Sequence, residues 1–267
     1  MFGVSLGIRV GNASISAGSP LLLDLYSSAA AAYSVRKLRT AYSDSAIRVR
    51  RSSDNTEQNI GFTALGNLDT TELTTFCGAG NGFITTWYDQ SGNANNSIQT
   101  TAANQPQIVN AGSIILQNGK PSVQFDGIND VLNSSTVALK WVIAALNPLT
   151  ALSYESFLGY DNRHMLIRND STANLYNTGS QLFTPPPTRT FVNNVLTTNL
   201  TNSTMQLFAV GSDTVFSSSR FITIGDDNAG GNFASQRISE IIAYTNNQEF
   251  TNKDGISTNI NSFYSIY

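Results

Sequence analysis

Alternating apolar and polar residues run through most of the chain and predict short β-strands. Ile47 and Val49 are separated by an arginine, and Val123 and Phe125 alternate shortly after an asparagine–glycine pair, which is a strong hairpin signal. The same alternation predicts further strands at residues 83–87, 141–146, 157–160, 164–168, 194–199, 204–211, 220–224 and 235–244. Their short length and regular spacing predict two antiparallel sheets packed face to face.

Helical spacing replaces alternation in three places. The first is AAAAYSVRKLRTAY, where one helix face would carry Ala31, Val35, Leu38 and Tyr42. The second is DTTELTTFCG, which has a capping box at its start and a glycine stop at its end, formed by Asp69, Glu72 and Gly78. The third is a C-terminal helix with an apolar face formed by Ile256, Ile260, Phe263 and Tyr267. The chain is therefore predicted to be mainly β, with a few short helices.

Residues 1–20 form a separate unit in the pattern. An alternating apolar run is followed by small turn-forming residues that end at Pro20. We expect an N-terminal arm or attachment segment over residues 1–20, with an edge strand of the main sheet as the alternative. Residues 21–267 are expected to form one domain, since this length suits a single large sandwich.

Composition supports a β-rich protein and narrows its partners. Only 12% of the residues are charged, and a polar surface of Asn, Ser, Thr and Gly suits turns and strand faces. With a net charge of -3, and with six of its 15 Lys and Arg residues clustered within residues 36–51, the chain offers no extended basic stripe for nucleic acid. No apolar run approaches the roughly 18 residues of a membrane span. The lone Cys77 excludes an internal disulfide or a cysteine metal cluster.

The N-terminal residues lack the basic region and compact apolar core of a secretion signal. A protein made in a host cytoplasm without export, yet with a surface of Asn, Ser, Thr and Gly, is expected to assemble into an extracellular particle. The sequence therefore predicts a virion location, without membrane insertion.

The first candidate site is the stretch WYDQSGN, formed by Trp87, Tyr88, Asp89, Gln90 and Asn93 around a glycine. Aromatic rings beside amide and carboxylate groups are typical of a sugar site, because a ring stacks on the apolar face of a sugar while the polar groups bind its hydroxyls. Buried Asp and Gln side chains can equally satisfy backbone groups in a turn. Both interpretations remain open.

The second candidate site is the loop that follows a predicted strand at Gly225, with Asp226, Asp227 and Asn228. Carboxylates at a strand end could bind a metal, accept hydrogen bonds from a sugar or act as a general acid. A plain polar hairpin is the alternative.

Two further features concern metals and catalysis. Asp126 and Asp130, four residues apart around a glycine, could hold calcium through oxygen ligands, although a tight turn explains them equally. No other cofactor is predicted. His164 is the only histidine, so a Ser-His-Asp arrangement has little to work with.

The order of these motifs resembles a known family. A stretch AAAAYSVRKLRTAY, then RRSSDN, a helix ending in FCG and a strand into WYDQSGN is similar to the N-terminal half of the catalytic domain of the α-L-arabinofuranosidase B family. The resemblance implies a concanavalin-like jelly-roll sandwich. The same combination, with QP.IVNAG and FDG.ND, also resembles laminin-G/concanavalin-like modules of phage tail and virion proteins.

The resemblance to the hydrolases implies Asp227 as the general acid. The family's nucleophile would be a central glutamate followed by asparagines, whereas the central glutamate here, Glu155, stands in a different context, and the family's vicinal cysteine pair is missing. In a hydrolase, Asp170 or Asp161 would have to act as the partner carboxylate.

The sequence alone thus favours a non-enzymatic virion protein: a tail, fibre or capsid-decoration module with a lectin-like domain, for host attachment. Its expected partners are other virion proteins, copies of itself and a host polysaccharide. The alternative is an arabinofuranosidase-like glycoside hydrolase with Asp227 as its acid, and a third option is a decoration protein without any ligand.

Overall fold

In a computed structural model of the chain, the described residues are 20–150, 155–160, 164–168, 175–176, 190–216, 221–226, 231–246 and 248–267. In chain order, the elements are α1 (Leu22–Leu25), β1 (Ala29–Ser34), β2 (Ile47–Arg51), β3 (Glu57–Ile60), α2 (Thr70–Cys77), β4 (Gly82–Trp87), β5 (Ser97–Ile98), a short 3-10 turn (Ala102–Asn104), β6 (Gln107–Asn110), β7 (Ser113–Ile114), β8 (Leu116–Gln117), β9 (Lys120–Pro121), β10 (Val123–Asp126), β11 (Leu132–Thr136), β12 (Leu139–Pro148), β13 (Ser156–Tyr160), β14 (His164–Arg168), β15 (Leu175–Tyr176), β16 (Thr190–Val192), β17 (Val195–Leu196), β18 (Gln206–Phe216), β19 (Phe221–Ile224), β20 (Ser235–Tyr244), α3 (Gln248–Thr251) and α4 (Lys253–Tyr264).

The strands form an antiparallel sandwich, as predicted. In the first sheet, β20 is central: β12, β18 and β16 follow on one side, while β1 and β10 share its other edge. The second sheet has the order β3-β2-β4-β5-β11-β19-β13-β14-β15. Strand β6 joins the two sheets: its Gln107 pairs with Gln124 of β10 in the first sheet, and β6 also pairs with β4 in the second sheet.

Large side chains fill the interior between the sheets. Trp87 and Trp141, from different sheets, are fully buried, and the Trp87 ring centroid lies 6.1 Å from that of Tyr33. The core also contains an ion pair, since Arg36 Nε lies 2.7 Å from Glu240 Oε2 with both side chains nearly buried. Burying two charges requires close pairing and further hydrogen bonds, and the hydroxyl of Tyr264 on α4 also lies 3.2 Å from Glu240 Oε2. The pair therefore links α4 to the first sheet.

Several predicted elements are confirmed. Helix α2 begins after Asp69, whose carboxylate accepts the Glu72 N–H at 2.9 Å, and ends at Gly78, which has a positive φ. The Glu72 carboxylate accepts from Gln58 instead of closing a capping box. The asparagine–glycine pair is the turn of the β8–β9 hairpin, because both of its residues have positive φ. The C-terminal helix is present as α4, although Tyr267 lies beyond its end.

The helix predicted in AAAAYSVRKLRTAY is wrong. Residues Ala29–Ser34 form strand β1, and all six are buried. A helix would expose one face, whereas this segment is covered on both faces and pairs with β20 along one edge. Tertiary burial overrides the local preference of alanine for helix.

Three further predictions concern a short strand, the N-terminal segment and membrane-spanning helices. The strand predicted at residues 194–199 is limited to β17, Val195–Leu196, because a turn occupies residues 193 and 194. Residues 1–19 lie outside the described part, so the division into an arm and one domain stays a prediction. None of the described helices is long and apolar enough to span a membrane.

Candidate functional site

The WYDQSGN stretch lies against the free edge of β1 and supplies it with hydrogen-bond partners. Asp89 is 3% exposed. Its Oδ1 accepts the N–H groups of Ala32 and Ser91, both at 2.8 Å. Its Oδ2 accepts the Ser91 hydroxyl at 2.7 Å and the Asn95 N–H at 3.0 Å. All of these donors are groups of the protein itself, so Asp89 braces the loop and the strand.

Gln90 and Asn93 complete this brace. Gln90 is fully buried; its Oε1 accepts the Leu38 N–H at 2.8 Å and its Nε2 donates to the Ser34 carbonyl at 3.2 Å. Asn93 Nδ2 donates to the Ala29 carbonyl at 2.9 Å. Side chains here replace the neighbouring strand that β1 lacks on this edge, which satisfies its buried backbone groups. The turn-bracing interpretation therefore describes these residues in the structure.

Tyr88 differs from its neighbours because it is half-buried and lines a cleft. Trp87, by contrast, is fully buried in the core, where a sugar cannot stack on it. The Tyr88 hydroxyl donates to Asn59 Oδ1 at 2.9 Å. Of the predicted aromatic pair, Tyr88 is thus the one that a ligand can reach.

The second candidate site begins at Gly225, at the end of β19. A Cβ on Gly225 would lie 2.5 Å from the Phe125 ring and 2.7 Å from the Asp130 carbonyl, and its φ is +93°. Only glycine allows this approach. The loop that carries Asp226 is therefore packed directly against the turn that carries Asp130, and Asp226 itself is 4% exposed.

The Asp126–Asp130 pair forms a tight turn. Asp126 Oδ1 accepts the N–H groups of Ile128 at 2.8 Å and Asn129 at 3.2 Å. Asp130 Oδ2 accepts the Asp126 N–H at 3.0 Å. Burial, together with the nearby charge of Asp126, raises the pKa of Asp130 to about 7. The described residues include no group of three or more side chains that could hold a metal ion, and the calcium prediction remains untested.

Glu155 lies close to the Asp126–Asp130 turn, to which Ser235 connects it. It is 1% exposed, and its Oε1 accepts the hydroxyl of Thr150 and, at 3.3 Å, the N–H of Ser235. Ser235 in turn contacts the position where a Cβ of Gly127 would lie. The sequence did not predict that Glu155 contacts Ser235, because the two residues are far apart in the chain.

Strand register shows that the two candidate sites lie at opposite ends of the second sheet. One row across β4, β5, β11 and β19 consists of Thr86, Ile98, Asn133 and Thr223. Tyr88 is two residues beyond this row in one direction, and Asp226 is three residues beyond it in the other. At about 3.3 Å per residue, about 16 Å along the sheet separates the two. We call these the Tyr88 end and the Asp226 end.

Several predicted site residues lie outside the described part of the chain: Asp161, Asp170, Asp227 and Asn228. Ile167, near the end of β14, pairs with Ser156, which is level with Asp226, so β14 and β15 meet at the Asp226 end. Tyr160, the last residue of β13, pairs with Ile222, towards the Tyr88 end. The side chain of His164 is likewise outside the description.

Comparison with known proteins extends the sequence resemblance. Residues 23–120 match the family model described as "Alpha-L-arabinofuranosidase B, catalytic". A search of curated proteins gives no match.

Three solved structures are similar in fold. One is a GH54 α-L-arabinofuranosidase soaked with a cyclic sulfate inhibitor, at 18% identity and a TM-score of 0.57. Another is a glutamate-to-glutamine mutant of a GH54 α-L-arabinofuranosidase soaked with 4-nitrophenyl α-L-arabinofuranoside, at 19% identity and a TM-score of 0.58. The third is an arabinofuranosidase complexed with arabinofuranosyl-α-1,2-xylobiose, at 18% and 0.58.

Each structural match covers 87% of this chain and 62% of the solved chain. The expectation of a non-enzymatic virion protein, with tail-fibre, capsid-decoration or host-attachment roles, is wrong. The finding that contradicts it is the match of residues 23–120 to an arabinofuranosidase catalytic model, together with a fold similar to that of solved arabinofuranosidases. The chain is similar to that domain in its sequence over residues 23–120 and in its β-sandwich fold.

Proposed function

We propose that this chain is a glycoside hydrolase that cleaves α-L-arabinofuranosyl linkages at the Asp226 end of the second sheet. The observation that carries the proposal is the match of residues 23–120 to the arabinofuranosidase B catalytic model, with a fold similarity that extends over 87% of the chain. Several carboxyl groups gather at this one end, which supports the assignment.

Hydrolysis of a glycosidic bond needs two carboxyl groups, one as acid and one as nucleophile or base. Asp227 is the proposed acid, since the segment Asp226 to Asn228 resembles a later segment of the family's catalytic domain and Asp227 directly follows Asp226. A general acid must be protonated near neutral pH, which burial favours. In the adjoining turn, burial and the nearby charge of Asp126 already raise the pKa of Asp130.

Asp170 is the proposed partner of Asp227. Strands β14 and β15, which flank residues 169–174, meet at the Asp226 end. The last residue of β13, Tyr160, instead lies towards the Tyr88 end, so we prefer Asp170 to Asp161. Glu155 accepts hydrogen bonds from the Thr150 hydroxyl and the Ser235 N–H, and we assign it a positioning role.

Hydrolysis of 4-nitrophenyl α-L-arabinofuranoside tests the proposal. Asp227→Asn and Asp170→Asn are each expected to lower kcat by about 10²- to 10⁴-fold, the usual loss when an acid–base group is removed. Asp161→Asn is the matched control and is expected to keep the wild-type rate.

The proposal fails if the wild-type chain hydrolyses neither this aryl substrate nor a panel of arabinose-containing polysaccharides. An Asp227→Asn variant with the wild-type rate would also refute the assignment of the acid. Circular dichroism of each variant excludes loss of fold as the cause of a lower rate.

A further inference from the structure

A cleft of about 550 Å³ opens at the Tyr88 end, which is within the range of about 300–1,000 Å³ for small-molecule sites. Its walls come from the loop between β1 and β2, from β3 and from the loop that follows β4. Its main lining side chains are Arg39, Tyr42, Asp44, Asn59, Tyr88 and Asn96. The proposed reaction uses none of them.

Two tyrosine rings in the cleft are fixed in place. The Tyr42 hydroxyl donates to the Ser45 carbonyl at 2.8 Å, and the Tyr42 ring packs edge-on against Phe62 with centroids 6.3 Å apart. Tyr88 is held through its hydroxyl by Asn59. Rings that are already ordered lose little conformational entropy when a ligand stacks on them.

Arg39 forms part of the floor. Its Nη1 donates to the Ser91 carbonyl at 3.0 Å, and it crosses Gly92 so closely that a Cβ there would lie 2.3 Å from Nη1. Gly92 also has a φ of +96°. The glycine of the WYDQSGN stretch therefore allows the guanidinium to reach the cleft.

Polar groups beside the rings suit hydroxyls. The Asn96 Oδ1 accepts the Asp89 N–H at 3.0 Å. Among the described residues no group accepts a hydrogen bond from Asn96 Nδ2, which can therefore donate to a ligand. Asp44 is exposed and adds an acceptor. The lining contains one cation, Arg39, and two carboxylates, Asp44 and the buried Asp89. An anionic ligand would therefore meet a net negative charge, which favours a neutral ligand.

We propose that this cleft is a second, non-catalytic binding site for a neutral pentose oligosaccharide, which stacks on Tyr88 and Tyr42 and is held by Asn96, Asp44 and Arg39. The choice of pentose units rests on the proposed function, whereas the site itself does not. Because about 16 Å along the sheet separates it from the Asp226 end, the cleft anchors a substrate chain and takes no part in bond cleavage.

Isothermal titration calorimetry with α-1,5-linked arabinotriose tests the site. Because the proposed hydrolase would cleave this ligand, each titration is repeated in the Asp227→Asn background. Tyr88→Ala is expected to weaken binding about tenfold through loss of the stacking surface, while Tyr88→Phe keeps the ring and stays within about threefold of wild type. Tyr267→Ala removes an exposed tyrosine far along the chain and is the matched control without effect.

A second variant tests the site without truncating a side chain that the fold uses. Ala41→Trp fills the cleft from an exposed position without removing any contact, and it is expected to abolish binding. The proposal is overturned if wild type does not bind arabinotriose, or if folded Tyr88→Ala or Ala41→Trp binds it as wild type does. A charged galacturonate trisaccharide that binds as tightly would also refute the neutral ligand.

Different results would refute the proposed catalytic function and the proposed second binding site. Asp227→Asn is expected to retain arabinotriose binding in the cleft, and loss of binding in that variant would place the sugar at the Asp226 end and overturn the second site. A wild-type chain that binds arabinotriose but hydrolyses nothing would refute the proposed function and leave the second site supported.

Discussion

Asp89 and Asp130 are both buried aspartates, at opposite ends of the second sheet, but their environments differ. Asp89 accepts four hydrogen bonds, three of them from backbone N–H groups. Asp130 accepts one backbone N–H, from Asp126, whose own charge lies nearby. Donors stabilise the ionised form, whereas burial and a like charge oppose it. Asp89 is therefore a structural brace, whereas burial and the charge of Asp126 raise the pKa of Asp130.

The largest expected effect is on the brace. In Asp89→Asn, one of the two carboxylate oxygens, both of which accept hydrogen bonds, is replaced by an NH₂ group that faces buried donors. We expect the free energy of unfolding to fall by about 3 kcal/mol, because buried donors are left without acceptors. Urea unfolding measures this. Asp44→Asn, at an exposed carboxylate, is the control and should leave the urea midpoint unchanged. A stable Asp89→Asn variant would contradict the bracing role.

The packing at the Asp226 end is tested by Gly225→Ala. The new methyl group would collide with the Phe125 ring and the Asp130 carbonyl at a positive φ, so the unfolding free energy should fall by about 2 kcal/mol. Gly231→Ala is the matched control, since its φ is also positive but nothing lies within 4 Å of an added Cβ. Equal losses for the two variants would show that backbone strain alone matters.

The smallest effect concerns pH. The pKa of Asp130 is raised in the folded state, to about 7, above the unfolded value of about 3.9. The stability it contributes is fully present below the unfolded pKa and is lost as the pH rises through about 7. Asp130→Asn should therefore reduce the difference in unfolding free energy between pH 5 and pH 8 by about 1 kcal/mol.

Urea unfolding of wild type and Asp130→Asn at both pH values measures this difference. Asp54→Asn is a control at an exposed carboxylate. An unchanged difference in the Asp130 variant would show that Asp130 does not titrate in this range.

Local signals predicted well those parts of the fold that depend on neighbours in sequence. The Asp69 cap of α2, the glycine that ends it and the asparagine–glycine turn were readable because each depends on a few adjacent backbone torsions. The alternation at Ile47 and Val49 identified β2 because the buried face of a strand repeats every two residues.

The candidate sites were less predictable. The sequence identified WYDQSGN and the Asp226 loop as polar clusters at strand ends. It could not show whether the WYDQSGN side chains stabilise the neighbouring backbone or bind a ligand. That distinction depends on whether β1 has a free edge, which only strand pairing decides. In the sequence, Glu155 stands out only as a glutamate in the wrong context for a nucleophile. The cleft residues Arg39, Tyr42 and Asn59 were not identified as site residues, because they become neighbours only through strand register.

By itself, the sequence determined a mainly β sandwich, helices α2 and α4, and the resemblance of its first half to the arabinofuranosidase B catalytic domain. Only the tertiary structure decided that Ala29–Ser34 is a strand, because burial on both faces outweighs helix propensity. It also decided that Asp89 and Asp226 stand at opposite ends of one sheet, since antiparallel register fixes which strand ends meet. The WYDQSGN loop thus acts as the side-chain substitute for a missing strand.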